Sequence, residues 1–210
     1  MAISEKEKTV EVDRRRLRGE RARASILEYS TAIASTDGLE GISIGRVAAD
    51  AGVAKGNIQV LFGDKESLQL ATLESAVELY RRLVVDPAME LATPAARLEA
   101  LVAAWFDFVE KRVLPGGCFI NAVSSEYRAR PGRIRDRINE HRAKIRQGFA
   151  TLLRLGQEAG EFREELDIDQ LVFELVAFQA AANVAALMGD QKEFALARSG
   201  SLNRIRDARV

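Results

Sequence analysis

Lys55, Asn57, Gln59 and Val60 lie within six residues of one another, with no acidic residue between them. An asparagine or glutamine amide carries a donor beside an acceptor, which matches the N6/N7 edge of adenine, and valine suits a thymine methyl. Lysine holds a phosphate without reading sequence. The chemistry on offer there is recognition of a nucleic-acid duplex. Catalysis is poorly provided for. The chain has one histidine, His141, and one cysteine, Cys118. They lie on different elements, so no nucleophile–base pair can be argued, and one of each cannot supply a Cys/His zinc site. No glycine-rich phosphate loop follows a strand, and the carboxylates are spread over amphipathic helices. No catalytic residue, metal site or cofactor is expected.

A second group of residues suits a small molecule. Pockets between helices are apolar, with a few polar groups that fix orientation. On faces that otherwise read as buried stand Trp105, Asn121, Ser124, Tyr127, His141, Gln179 and Asn183. Plain structural roles are open to them as well. Trp105 can fill core, His141 can be a hydrogen-bonded core histidine, and Gln179 and Asn183, one turn apart, can bond across a subunit interface. Cys118 reads as a small buried hydrophobe rather than a thiol sensor.

Both groups need helices to position them. Ser43 is a helix N-cap, and behind it Ile44, Val47, Ala48 and Ala51 share one apolar face. Gly52 supplies the left-handed residue after that helix. A second helix is expected from Lys55 to Phe62, with Ile58, Leu61 and Phe62 inward. Gly63 ends it and Asp64 caps a long third helix. This is a helix-turn-helix, whose second helix can enter a major groove.

The phrases ISIGRVAADAGVAKGNI and LFGDKESL resemble the DNA-binding motif of the tetracycline-repressor (TetR) family of bacterial regulators. RARASILEYSTAIASTDGLEGISI is similar to that family's first helix and following loop, so the likeness runs from Ala22 to about Ala76. The chain departs from the pattern inside the second helix. The family usually has Ser or Thr where Ala54 stands, Thr-Leu-Tyr where Asn57, Ile58 and Gln59 stand, and His or Tyr where Leu61 stands. An unusual operator sequence is implied. The DNA contacts are expected from Ser43, Arg46, Lys55, Gly56, Asn57, Gln59, Val60 and Lys65.

Ahead of the motif, Arg14, Arg15, Arg16 and Arg18, extended by Arg21 and Arg23, make a basic block. A basic arm there can bind phosphates or enter a minor groove. Residues 1 to about 19 lack apolar periodicity and are expected to be disordered, with the first helix running from about Glu20 to Thr36.

The 210 residues, 47% of them apolar, can bury one medium core or two small ones. With 31 basic and 31 acidic residues the net charge is zero, so the distribution of charge has to decide the partner. A lone cysteine fits a reducing cytosol. The N-terminus has no apolar core of the signal-peptide kind. Leu171 to Met188 is interrupted by Glu174, Gln179 and Asn183 and reads as a buried helix rather than a membrane span.

Further helices are expected from Asp64 to about Val85 (broken at Asp86-Pro87), from Thr93-Pro94 to about Arg112, and from Phe119 to about Ala129. Others follow over roughly Gly132 to Ala159, Gln170 to Met188 and Asp190 to Ala208. PGGCFINAVSSEYRARPGRIRD resembles a segment of one branch of the same family. The basic faces of the helix after it, with Arg133, Arg135, Arg137, Arg142, Lys144 and Arg146, read as solvated. The helix to Met188 is apolar almost all round, so more than one of its faces must be covered. In the family the last two helices pair with their copies in a second subunit.

The expectation is therefore an all-α homodimer. Residues 1–65 would form the DNA-binding domain with its basic arm, and 66–210 the ligand-binding and dimerisation domain. The resemblance implies a cytoplasmic transcriptional regulator, a repressor released from a palindromic DNA operator by a small-molecule effector. The other readings are a helical ligand- or partner-binding protein without operator binding and, against the residue inventory, a small helical enzyme.

Overall fold

The computed structural model describes the backbone from Ala2 to Val210 and the side chains from Arg16 onward. Among the described residues there are ten α-helices, one π-helical turn and no strand; one isolated antiparallel bridge joins Phe162 to Arg209. The chain divides into two compact units, Met1–Ser75 and Ala76–Val210.

The first unit holds α1 (Ala2–Asp37), α2 (Ile44–Asp50), α3 (Lys55–Phe62) and the first part of α4 (Lys65–Tyr80). The expected disorder before Glu20 is corrected, because α1 already begins at Ala2. Apolar periodicity is one signal of a helix; the propensity of its residues is another. The stretch before Gly19 is rich in Lys, Glu and Arg and has no proline. Arg16 pairs with Glu20 one turn on, Nε to Oε1 at 4.0 Å.

The core of this unit is built on Ile26, Ile33, Ala34, Leu39, Ile42, Val47, Ile58, Leu68 and Leu73, all buried. Among the polar side chains buried with them, Ser30, Gln69 and Thr72 are hydrogen-bonded. Thr72 Oγ1 donates to the carbonyl of Leu68 (2.8 Å) and lies 2.8 Å from Ser30 Oγ. Gln69 Nε2 donates to the carbonyl of Leu39 (2.7 Å) and pins the loop before α2. The turns follow the local signals. Ser43 Oγ accepts from Arg46 N (3.1 Å) and Asp64 Oδ1 from Ser67 N (2.8 Å). Gly52 and Gly63 take φ of +65° and +82°, a region open to glycine at little cost.

The second unit begins inside α4. The helix does not break at Asp86-Pro87 as expected. It widens into a π turn at Arg81–Val85 and continues as α5 (Asp86–Met89). Pro87 has no N–H, and its ring crowds the carbonyl four residues back. The ladder is relaxed there, with Asp86 N donating five residues back to Arg81 O.

Then come α6 (Pro94–Glu110), α7 (Phe119–Tyr127), α8 (Arg133–Glu158), α9 (Ile168–Met188) and α10 (Gln191–Asp207). Thr93, Asp167 and Asp190 cap α6, α9 and α10 through their side chains. Phe106 sits at the centre, edge-on to Trp105 (5.0 Å between centroids) and to Phe194 (5.6 Å). Glu174 of α9 accepts from Arg204 Nε of α10 at 2.5 Å, and the Arg204 guanidinium, with Gln170, holds that carboxyl below its ordinary value.

By length and apolarity α9 could cross a membrane, but Leu171, Leu175, Gln179, Ala182 and Asn183 face the unit's own core. Its other side is left to solvent. There Phe173, Ala177, Ala180, Ala181, Val184, Leu187 and Met188 recur at steps of four, three, one, three, three and one. Phe173 is 66% exposed and Met188 80%.

Candidate functional site

The first unit presents α3 outward. Ile58 and Phe62 are buried, and Lys55, Gly56, Asn57, Gln59 and Val60 face solvent. Val60 is 87% exposed, a position where a valine contributes nothing to the unit's own packing. No side chain caps the first turn, because Ala54 has none to offer, so the first N–H groups of α3 are left to solvent. Lys55 crosses back over α2; a methyl on Gly45 would meet its Cε at 3.2 Å.

The other sequence-predicted contacts already have partners. Arg46 Nη1 lies 2.6 Å from Asp37 Oδ2, and Lys65 Nζ bonds both the Glu40 carboxylate (3.1 Å) and its carbonyl (3.2 Å). Arg46 in turn holds the Asp37 carboxyl below its ordinary value. Such solvent-exposed pairs are weak, so a phosphate can compete for either cation. Arg16 and Arg18 are exposed on α1. The side chains of Arg14 and Arg15 lie outside the described residues. Arg23 lies over the ring of Phe62, 4.8 Å from its centroid, and covers the end of α3.

The second unit encloses a cavity of about 320 Å³, at the lower end of the range for small-molecule sites. Of the ligand candidates it gathers Trp105, Asn121, His141 and Gln179. Two others are elsewhere. Ser124 and Tyr127 line a second, polar pocket with Arg128, Arg135, Asn139 and Arg142, the last shared with the cavity. Ser124 spends its hydroxyl on the Ile120 carbonyl, at 2.5 Å.

Asn183 does structural work. Its Oδ1 accepts from Cys118 N at 2.7 Å, and Gly117, at φ +73°, lies so near that a methyl there would meet this oxygen at 2.5 Å. Gln179 and Asn183 are buried within one chain, 5% and 4% exposed, so the expected bonds across a subunit interface are corrected. Ala182 between them is buried as well, whereas Ala180 and Ala181 are exposed and belong to the stripe.

Sequence reasoning missed the walls. Tyr80 and Val85 both line the cavity, although five residues in an α-helix would turn them about 140° apart. The π turn brings them to one side. Phe108, Phe119, Ile145, Phe149 and Val176 complete the apolar surface. Burial pushes the Tyr80 phenol well above its ordinary value, with the neighbouring Cys118 sulfur adding to the shift. Burial likewise raises the Cys118 thiol, against opposing hydrogen bonds from Asn121, Trp105 and Ile120. Both are neutral groups at pH 7, and a neutral thiol is a poor nucleophile. Gln179 Nε2 is buried and has no hydrogen-bond partner. The charged residues on the lining are all cations: Arg81, Arg142, Lys144 and Arg146. No group of residues among those described could hold a metal ion.

Residues 94–200 match the tetracyclin repressor-like C-terminal domain family. Comparison with curated protein sequences finds no match. Similar folds are found among solved structures. A TetR transcriptional regulator from Chloroflexus aurantiacus is 23% identical, with a TM-score of 0.80 over 91% of this chain and 98% of that one. A transcriptional regulator from Saccharomonospora viridis, solved with choline, is 23% identical, with a TM-score of 0.76 over 91% and 98%. AibR, solved with isovaleryl coenzyme A and operator DNA, is 17% identical, with a TM-score of 0.68 over 87% and 96%.

Proposed function

Since the chain belongs to the tetracycline-repressor family, we propose that it is a dimeric, operator-binding transcriptional regulator whose cavity receives a small-molecule effector. The observation that carries this reading is α3, which buries Ile58 and Phe62 and turns Lys55, Asn57, Gln59 and Val60 outward. Asn57 and Gln59 read adenine edges, Val60 meets a thymine methyl and Lys55 holds a phosphate. Arg46 and Lys65 exchange their carboxylate partners for phosphates. Residues 1–65 make the DNA contacts, the basic block at Arg14, Arg15, Arg16 and Arg18 included. Residues 66–210 bind effector and partner.

The exposed stripe of α9, with Leu196 of α10 (61% exposed), is the dimer surface. Covering one such large side chain is worth about 1.5–3 kcal/mol. Two-fold symmetry then sets the paired α3 helices on successive major grooves, roughly 35 Å apart, and requires an inverted-repeat operator.

One helix joins the two activities. α4 contributes Leu68, Gln69 and Thr72 to the first unit's core and Ala76, Val77 and Tyr80 to the cavity wall. An effector that fits the cavity better when α4 is displaced shifts the population away from the DNA-binding spacing. A coupling of about 1–3 kcal/mol is the ordinary scale of such an effect.

The test is selection of bound sequences from a random duplex library at moderate salt. An inverted repeat is the expected product. Diffuse binding that disappears with salt would sink the operator reading and leave only the basic arm at work.

A further inference from the structure

The effector reading can be taken to a chemical class, and this step rests on the cavity being an effector site. Gln179 is 5% exposed and its Nε2 has no acceptor. A buried donor without a partner is costly, and a ligand oxygen relieves it. The charge at the cavity has one sign. Arg81 is already held by Glu78 and Asp86, each at 2.6 Å. Arg142, Lys144 and Arg146 form no ion pair among the described residues, and no carboxylate lines the cavity.

The sequence of α8 deepens the contrast. Its first half mixes signs, and Arg137 pairs with Glu140 at 2.5 Å. From Glu140 to Glu158 there is no acidic residue, while Arg142, Lys144, Arg146 and Arg154 intervene. Arg142 and Arg146 stand one turn apart, a like-charge spacing that weakens a helix. The expectation that these were only part of a solvated face is incomplete, since three of them edge the cavity.

We propose that the effector is an apolar carboxylate or its acyl derivative. Its hydrocarbon body fills the space between Trp105, Phe108 and Phe149, an oxygen accepts from Gln179 Nε2, and its negative charge is met by Arg142, Lys144 and Arg146. The volume, about 320 Å³, holds roughly ten water-sized groups at about 30 Å³ each. Octanoate has about that size. A quaternary ammonium ligand finds no counter-charge here.

Calorimetric titration of the full-length dimer, without DNA, compares octanoate, 1-octanol and octylamine. Octanoate is expected to bind at least about tenfold more tightly than either. Octanoyl-coenzyme A is the fourth ligand and separates a free acid from an acyl group on an anionic carrier; tight binding of either supports the class. Arg142→Gln with Arg146→Gln, both on the surface, should cut binding of the anion about tenfold and leave octanol unchanged. Gln179→Leu should weaken the anion further, with folding checked by thermal unfolding. Octylamine binding as well as octanoate, or neither anionic ligand binding at millimolar concentration, would overturn the assignment. Loss of operator binding is read separately with the selected duplex. A carboxylate that binds but leaves DNA affinity unchanged keeps this inference and refutes the release mechanism.

Discussion

Asn183→Ala should loosen the cavity wall without altering what the cavity recognises. The Asn183 amide accepts from Cys118 N at 2.7 Å and is 4% exposed. Truncation removes the acceptor and leaves a partly buried N–H at the start of α7, a loss of about 1–3 kcal/mol. For a protein of this size each kcal/mol moves Tm by about 2–4 °C, so a fall of roughly 2–12 °C is expected, measured at one fixed protomer concentration because the dimer's Tm depends on it. Asn183→Leu separates the hydrogen bond from the volume. Leucine has asparagine's branching and number of side-chain heavy atoms but larger methyl groups, so it fills the space, offers no acceptor and crowds the Cys118 N–H. Both variants should lose stability, and the preference among octanoate, octanol and octylamine should survive in each. If the leucine variant melted with the wild type, the stabilisation would be packing alone. If Asn183→Ala kept its Tm and changed ligand preference, Asn183 would be a ligand contact and the structural role assigned to it would be wrong.

Lys55→Ala should weaken binding to every duplex about equally and lower the salt slope by about 1, whereas Asn57→Ala or Gln59→Ala should relax base preference at fixed operator positions; a repeat of the library selection distinguishes the two. Gly156→Ala sets a gain in helix propensity of about 1 kcal/mol against a methyl 2.3 Å from the buried Phe162 ring. Overpacking costs about 1–3 kcal/mol, so chemical denaturation should show a net loss, and an unchanged midpoint would mean that the ring moves freely. The Glu174 carboxyl is held below its ordinary value of 4.5 by Arg204 and then Gln170. Its contribution is therefore complete above that value and is lost as pH falls below it through the lower value of the folded protein. Thermal unfolding of wild type against Glu174→Gln should show a gap at neutral pH that closes in acid; a gap of constant size would remove the ion pair as its cause.

The helix-turn-helix could be read residue by residue because its signals are local. A capping hydroxyl at Ser43, a left-handed glycine at Gly52 and an Asp cap at Asp64 act within four residues of themselves, and α3 spans the expected Lys55–Phe62. The outward side chains of α3 followed from the same pattern. The start of α1 was illegible to apolar periodicity because its sequence, rich in Lys, Glu and Arg, carries no apolar stripe. The partners of Arg46 and Lys65 are Asp37, at the end of α1, and Glu40, in the loop after it, which only the folded chain brings near. The cavity was half legible. Trp105, Asn121, His141 and Gln179 stood out as polar or aromatic residues on apolar faces, whereas Ser124 and Tyr127 carried the same signal and lie elsewhere. Tyr80 carried no signal, since its place in the wall depends on the phase of a helix that the sequence pattern assumed to be regular.

That phase has a further meaning. The wide turn at Arg81–Val85 accommodates about one residue more than an α turn, and each residue of an α-helix advances about 100°. The helix after the turn is thus dialled one residue out of step with the helix before it. Loss of a single residue within the turn would leave Val85 four residues after Tyr80 in a regular α-helix, about 40° away, and so still on the side that Tyr80 faces. Loss of one residue, ordinarily ruinous inside a helix, could here be absorbed with the cavity side of the helix kept. The turn lets the chain carry one residue more without moving this wall.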